Sequence, residues 1–216
     1  SCLIGAGLPN HKTVYRLVEG PRELGPDDKT VSLRLEASGD DGVKVAKIIT
    51  FTRGSYLINV AYEIVNGSKN PIAAHAYYQL QRDTTAPEGE SSMVVTYTGP
   101  ALYTEQGKFQ KLSFEDIEKG KAKFTTQADN GWMAMVQHYF VSAWLPQEKQ
   151  QREFFVRTVE TGSKPVVAAG LIVPSPVVAP GATGGDSVSL YAGPQIQSTL
   201  DKLAKPVADG GIGAVG

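Results

Sequence analysis

Cysteine is nearly absent from this sequence, whose 216 residues include only Cys2. An intramolecular disulfide needs two cysteines, so cysteine usage does not identify the redox compartment. An excess of charge of one sign is also missing, because 21 basic side chains are balanced by 22 acidic ones. Nucleic-acid-binding proteins usually carry a basic excess or stripe, and we therefore expect no nucleic-acid partner.

The sequence also lacks long hydrophobic runs that would suit a membrane helix. The longest uncharged stretch, Pro165–Gly185, is interrupted by Pro174, Pro176 and Pro180, and proline breaks helices. We therefore expect no transmembrane helix. The first residues carry no secretory signal, as expected of a mature fragment or of a domain cut from a longer protein.

Motifs for catalysis and metal binding are absent too. The sequence has no G-x-S-x-G, no H-E-x-x-H and no H-x-H pair, which removes common hydrolase and zinc signatures. The acidic pairs lie in polar loops, where solvated side chains are the simpler interpretation. We predict no catalytic residue, no cofactor-binding residue and no metal ligand. The histidines are interpreted as surface or hydrogen-bonded core residues: His11, His75 and His138.

What the chain does contain is the pattern of an all-β protein rich in turns, with 23 glycines and 13 prolines. Apolar and polar residues alternate over Val31–Leu35 and, most clearly, over Tyr56–Ile64, which indicates half-buried strands. The turn Ser38–Gly42 is predicted to join the first of these to a partner strand, Val43–Thr52, as a hairpin. About a dozen such segments predict a β-sandwich or several packed antiparallel sheets.

Less regular segments carry further predictions. His11–Val18 and Val177–Pro180 are predicted to be strands, and Gln147–Arg152 a charged loop. The Asn-Gly pair that opens Asn66–Pro71 predicts a turn, after which Ile72–Arg82 is predicted to return antiparallel.

Two segments favour helix instead. Ser113 followed by Asp116 is typical of a helix cap, so Phe114–Lys119 is predicted to form a single turn. The second helix is predicted over residues 195–204, after Pro194. Its apolar face has helical spacing and consists of Ile196, Leu200 and Leu203.

The stretch Gly131–Pro146, GWMAMVQHYFVSAWLP, holds both tryptophans and no charged residue. Burial of large apolar side chains stabilises a fold by about 1.5–3 kcal/mol each, so we expect this stretch to be covered. It predicts two short strands that bend near Gln137–His138 or one long buried strand, with a helix as the competing interpretation. The bulky residues interpreted as mainly structural are Trp132, Tyr139, Phe140 and Trp144. A sugar-stacking groove lined by Trp132, Tyr139 and Trp144 is the alternative.

Three ordered motifs resemble the periplasmic domain of the YidC membrane protein insertase family of Gram-negative bacteria. The strand after Arg53-Gly54, with Tyr56 and Asn59–Glu63, is similar to the family's R-G-x-Y-x-(I/V)-N-V-x-Y strand. Gly131–Pro146 resembles its G-W-x-A-M-x-Q-x-Y-F-x-x-A-W-x-P motif. Leu190–Pro194 resembles the L-Y-x-G-P box that precedes the family's linker helix. The resemblance covers almost the whole chain.

The resemblance implies a large twisted antiparallel β-sandwich (a supersandwich) related to sugar-binding and mutarotase-like folds. It implies a non-catalytic scaffold or interaction domain on the periplasmic side of the inner membrane. The full-length family members insert and fold membrane proteins, alone or with the Sec translocon. Nascent membrane proteins and Sec components are therefore the expected partners, no cofactor is expected, and membrane contact would run through transmembrane segments outside this chain.

The resemblance also suggests how the chain is divided. Residues 1–193 are expected to form the β-sandwich, and residues 194–216 a linker helix and tail. Family members have further strands before the point where this chain starts, so we expect it to lack its first strands. The strands near Ser1 are expected to have exposed edges or to pair with another chain. The linker helix is expected to pack Ile196, Leu200 and Leu203 on the sandwich and to fix the domain relative to the bilayer.

Two other functions stay open at this point. One is a carbohydrate-binding or mutarotase-like protein on the same fold, which would bring a histidine and a carboxylate together in an open groove. The residues to check for this arrangement are His75 and His138. The other is a docking surface for Sec components or chaperones.

Overall fold

The computed structural model describes residues 1–85, 97–161 and 164–195. These residues form strands and one short helix. In chain order they are β1 (Cys2–Ile4), β2 (Arg16–Leu17), β3 (Thr30–Ser38), β4 (Val43–Thr52), β5 (Leu57–Asn66), β6 (His75–Asp83), β7 (Gly99–Thr104), β8 (Lys108–Lys111), α1 (Phe114–Glu118), β9 (Gln127–Ala128), β10 (Trp132–Val136), β11 (Phe140–Leu145), β12 (Arg152–Thr161), β13 (Lys164–Pro174) and β14 (Thr183–Pro194).

The strands form two sheets, which confirms the predicted all-β class. One sheet has five strands in the order β1-β6-β13-β12-β9, and the other has nine in the order β2-β3-β4-β5-β14-β11-β10-β7-β8. The strands nearest the start, β1 and β2, each stand at one end of their sheet. Each therefore has one edge that no other described strand pairs.

One compact unit comprises Ser1–Tyr77 and Ile172–Leu190. In it β3, β4 and β5 form an antiparallel meander in which Val45 lies opposite Ala37 and Ile64. The predicted hairpin of Val31–Leu35 with Val43–Thr52 is confirmed by this register. The antiparallel return predicted for Ile72–Arg82 is wrong, because β5 pairs with β4 and β14 while β6 belongs to the five-stranded sheet. The core of this unit includes four fully buried side chains: Val45, Ile64, Val173 and Val188.

The other unit comprises Tyr78–Leu171 and the described residues from Tyr191 onward. Its meander pairs β8 with β7, β7 with β10 and β10 with β11, and Met133 lies opposite both Leu102 and Trp144. The predicted single-turn helix is confirmed as α1. Ser113 caps it, because its Oγ accepts the backbone N–H of Asp116 at 3.1 Å.

Three sequence predictions were wrong in detail. The strand expected over His11–Val18 shrinks to β2, because residues 11–13 form a turn in which the Asn10 N–H donates to Thr13 Oγ1 at 2.9 Å. The apolar segment Val177–Pro180 forms only an isolated bridge between Val178 and Ile72. Arg152, expected in a charged loop, is the first residue of β12 and is buried.

The helix predicted over residues 195–204 and its face of Ile196, Leu200 and Leu203 lie outside the described residues, apart from Gln195. No helix in the described ranges has the length and apolar character needed to cross a membrane.

Candidate functional site

The central stretch folds into a hairpin of β10 and β11, the first of the predicted alternatives. Every residue of β10 is buried. The Trp132 ring stacks on Tyr103 at a centroid distance of 6.1 Å, and the Trp144 ring packs against Tyr78 at 4.9 Å. Both tryptophans therefore lie in the core of the second unit, where aromatic pairs add to the stability gained by burial.

Tyr139 and Phe140 differ from the prediction, because they are exposed rather than in the core. Their side chains are 71% and 59% exposed. The reason is the chain reversal between β10 and β11, which the Gln137 N–H closes by donating to the Phe140 carbonyl at 2.8 Å. The alternation that buries Val141 and Ala143 places Phe140 on the other face at the end of the strand, where the core does not cover it.

The two exposed rings stand on a hairpin tip, which we define as Gln137–Phe140. Its backbone is fastened at a second point, since the Gln195 N–H donates to the Tyr139 carbonyl at 2.8 Å. The Tyr139 ring contacts His138 edge-on, with the ring centroids 3.9 Å apart. The hairpin tip is thus held by two backbone hydrogen bonds and exposes two aromatic rings to solvent.

A small groove, the Arg82 groove, begins beside this tip. Its walls combine apolar and polar side chains, and it is lined by Leu80, Gln81, Arg82, Met135, Gln137, Phe140 and Ser142. Arg82 Nη2 donates to the Thr85 carbonyl at 3.1 Å. Its Nη1 is buried and has no hydrogen-bond partner within the described ranges. The groove therefore offers a positive charge next to an apolar wall.

A larger groove, of about 490 Å³, lies on the face of β2–β5 in the first unit. Arg34 lies between two acidic residues there, with Nε 2.8 Å from Glu36 and Nη2 2.7 Å from Glu63. Ala46 pairs with both Glu36 and Glu63 in the sheet register, and its small side chain leaves room for the guanidinium to bridge them. The hydrogen bond from Arg34 lowers the pKa of Glu36, and the two carboxylates raise the pKa of Arg34.

This ion network does not form a catalytic pair. No histidine lines either groove, and the carboxylates are held by arginine rather than poised as free acid and base. The arrangement expected of a mutarotase-like enzyme, with His75 or His138 facing a carboxylate in a groove, is not found in these two places. Trp132, Tyr139 and Trp144 do not form a sugar-stacking platform either, since both tryptophans are buried.

Metal binding finds no support in the part of the chain that the structure describes. No group of three or more His, Cys, Asp or Glu side chains there is arranged to hold an ion. Cys2 is buried in β1 and is a free thiol.

Two buried polar residues were not identified from sequence. Asn66 is fully buried at the end of β5, where its Nδ2 donates to the carbonyls of Asn70 and Val178 at 2.8 and 2.9 Å. Arg152 is 3% exposed and donates to four backbone carbonyls, among them that of Gly131 at 2.8 Å. The Asn-Gly pair at 66–67 predicted a turn. No local sequence pattern predicted that the side chains of Asn66 and Arg152 would be buried and hydrogen-bonded to backbone carbonyls.

Comparison with known proteins identifies the family. The profile of the YidC periplasmic domain matches residues 1–210. A curated relative, the membrane protein insertase YidC of Dechloromonas aromatica (strain RCB), is 58% identical over 202 residues. The alignment covers 94% of this chain and 37% of that protein, so the chain spans about a third of its relative's length.

Two solved structures align with this chain at low identity. The GH36 alpha-galactosidase AgaA from Geobacillus stearothermophilus, in complex with 1-deoxygalactonojirimycin, aligns over 89% of this chain and 30% of its own, with 9% identity and a TM-score of 0.50. A galactose mutarotase related enzyme from Lactobacillus acidophilus aligns over 82% of this chain and 70% of its own, with 9% identity and a TM-score of 0.42. Identities this low carry no sugar chemistry over to this chain. The family profile and the relatives at high identity do decide the family: this chain belongs to the YidC periplasmic domain family.

Proposed function

We propose that this chain is the non-catalytic periplasmic domain of an inner-membrane insertase and acts there as a scaffold or interaction module. The observation that carries the proposal is the family profile, which covers residues 1–210. The alignment covers only 37% of the relative from Dechloromonas aromatica that is named membrane protein insertase. The inserting activity, with nascent membrane proteins as substrates, is therefore assigned to the full-length protein.

Two structural observations support a role in interaction rather than catalysis. The carboxylates of the larger groove are paired with Arg34 and Arg16, with no histidine beside them. The exposed aromatic tip and the Arg82 groove are surface features of the kind that bind a partner. Components of the Sec translocon are the partners that we propose for this domain.

The proposed division is a β-sandwich over residues 1–193 and a linker over residues 194–216. In this proposal the apolar face of Ile196, Leu200 and Leu203 packs on the sandwich and fixes the domain relative to the bilayer. Replacing Leu200 and Leu203 by Asp in the full-length protein is expected to lower insertion more than replacing Lys202 and Lys205 by Asp. Equal activities of the two double variants, at equal protein levels, would contradict this role.

Complementation and crosslinking together test the proposal. A full-length protein that carries this domain should support growth of cells depleted of their own insertase. Photo-crosslinking residues at exposed positions such as Tyr56 and Val177 should yield adducts with Sec components in native membranes. The buried position Val60 is the control. Growth without adducts from any exposed position would reject the interaction role while keeping the family assignment.

A further inference from the structure

The hairpin tip exposes apolar surface that the described fold does not use. Tyr139 and Phe140 are neighbours in sequence, and both rings are more than half exposed. Two aromatic rings kept in water forgo the stabilisation that burial of each would contribute. Aromatic side chains with this exposure are typical of contact surfaces, and Tyr and Trp are favoured at the boundary between water and lipid headgroups.

The tip is held in a defined place. Hydrogen bonds to the carbonyls of Tyr139 and Phe140, from Gln195 and Gln137, fasten its backbone at two points. Gln195 directly follows β14. If residues 194–216 form the linker toward the membrane part, as proposed above, the tip is attached to the first residues of that linker.

The Arg82 groove provides a positive charge beside the exposed rings of the hairpin tip. Arg82 is its charged side chain, and its Nη1 has no partner among the residues described. The neighbouring acid, Asp83, is exposed and points to the opposite face of β6, where its Oδ1 accepts the Thr85 N–H at 3.0 Å. Among the described residues that line the groove, the positive charge thus lies beside Phe140, Leu80 and Met135, and none of them is a carboxylate.

From these observations we propose that the tip and the Arg82 groove together form a membrane-docking surface. Tyr139 and Phe140 enter the interface between headgroups and acyl chains, and Arg82 binds the phosphate of an anionic phospholipid. The Arg82 guanidinium holds the headgroup by charge-assisted hydrogen bonds to phosphate oxygen, and the apolar wall covers the upper part of an acyl chain. This inference rests on the proposed function, which places the domain next to a bilayer.

Co-sedimentation of the purified chain with lipid vesicles tests the proposal. Vesicles of phosphatidylethanolamine with phosphatidylglycerol should bind the chain, and vesicles of phosphatidylcholine alone should bind it more weakly. The chain's net charge is -1, so a preference for anionic lipid would have to come from a local group. High salt should weaken this preference, because it screens the arginine–phosphate attraction.

Variants separate the two parts of the surface. Tyr139→Ser with Phe140→Ser should weaken binding to both kinds of vesicle by about tenfold. Arg82→Gln should reduce the preference for anionic vesicles by about fivefold, and Arg82→Lys should keep most of it. Tyr56→Ser removes an exposed aromatic ring of the other unit and should leave binding unchanged. Circular dichroism confirms that each variant is folded.

Three outcomes would overturn the proposal. They are no binding to protein-free vesicles, an equal loss with Tyr56→Ser, and binding only to vesicles that contain a membrane protein, since the last would assign the tip to a protein partner. The proposed function is tested separately by complementation. If the purified chain binds no vesicles but the full-length protein still supports growth, the membrane-docking proposal is rejected and the proposed function is kept.

Discussion

Gly131 is the residue on which the start of the central hairpin depends most. Its φ of +95° lies where residues with a side chain are strained, and a Cβ there would stand 2.0 Å from the Tyr103 carbonyl oxygen. Gly131→Ala is therefore expected to lower the free energy of unfolding by about 2–4 kcal/mol, measured by urea unfolding. Gly120→Ala is the matched control, because Gly120 has φ +64° but no neighbour within 4 Å. It should cost only about 1 kcal/mol, and equal losses would contradict the steric argument.

Asn66 shows how one buried amide holds two segments of the first unit together. Its Nδ2 donates to the carbonyls of Asn70 and Val178, while its Oδ1 accepts from both the N–H and the Oγ of Ser68. Asn66→Asp replaces the two donors by an oxygen that faces two carbonyl oxygens. We expect a loss of about 2–4 kcal/mol at neutral pH and a partial recovery in acid, where a protonated carboxyl can donate.

The same substitution at Asn70 gives the control for this prediction. Asn70 is exposed, so its side chain stays solvated and Asn70→Asp should change stability by less than about 0.5 kcal/mol. Thermal unfolding of both variants at neutral and acid pH makes the comparison. Similar unfolding temperatures for the two variants would show that the amide of Asn66 does not clamp the turn.

At the level of elements, the β3–β4 hairpin depends on a turn with Asp41 and Gly42 at its centre. Both have positive φ, 51° and 80°, and the Val43 N–H donates to the Asp40 carbonyl at 3.0 Å, as in a type I′ turn. A Cβ on Gly42 would meet the Gly67 oxygen at an ordinary 3.5 Å. Gly42→Ala is therefore expected to cost about 1–2 kcal/mol from backbone strain alone.

Chemical denaturation checks this turn prediction. Gly20→Ala serves as the control, because Gly20 has no neighbour within 4 Å and no positive φ. It should change the unfolding midpoint little. If Gly42→Ala changed the unfolding midpoint as little as Gly20→Ala does, the turn would have to adopt another type that does not need a positive φ at this position.

These elements also show which parts of the fold can be predicted from sequence. The hairpins were predictable because strand alternation and turn residues act between close neighbours, as at Asp41-Gly42. The placement of β14 between β5 and β11 was not, since pairing across a hundred residues leaves no local pattern. For the candidate site, sequence placed Tyr139 and Phe140 in an apolar stretch. Whether another element covers a given side chain is decided by packing, and none of the described elements covers these two rings.

At the scale of the whole molecule, the family assignment came from ordered motifs and not from chemistry. The described residues give positive evidence for an ion network, a braced aromatic tip and an arginine groove, and each is compatible with several kinds of protein. The family was predictable because Gly131–Pro146 and Leu190–Pro194 are long enough to identify relatives. The contacts of the domain were not, because they depend on which surfaces the fold leaves open.

The pKa values of three tyrosines test whether the fold excludes water from their hydroxyl groups. Burial raises the pKa of Tyr15 and of Tyr97 to about 12, and it raises the pKa of Tyr62 as well. The unfolded chain titrates tyrosine near about pH 10. Between about pH 10 and pH 12 the folded form therefore binds more protons than the unfolded one, and stability falls as pH rises. The contribution is fully present below about pH 10.

Tyr97→Phe isolates one of these groups. The Tyr97 hydroxyl accepts the Leu112 N–H at 3.0 Å and lies 2.9 Å from the Leu112 carbonyl, so the variant should already be less stable at neutral pH, by about 1–2 kcal/mol. The free energy of unfolding of the variant should then fall less steeply above about pH 10 than that of the wild type. The difference between the two should shrink by roughly 1 kcal/mol, a modest amount because the ring is partly exposed. Opposing titrations, such as that of Lys47, whose pKa burial lowers, cancel in this difference. Urea unfolding across this range, with Tyr56→Phe as the exposed control, gives the measurement. A difference from the wild type that stayed constant up to about pH 12 would mean that the hydroxyl of Tyr97 ionises as easily in the folded chain as in the unfolded one.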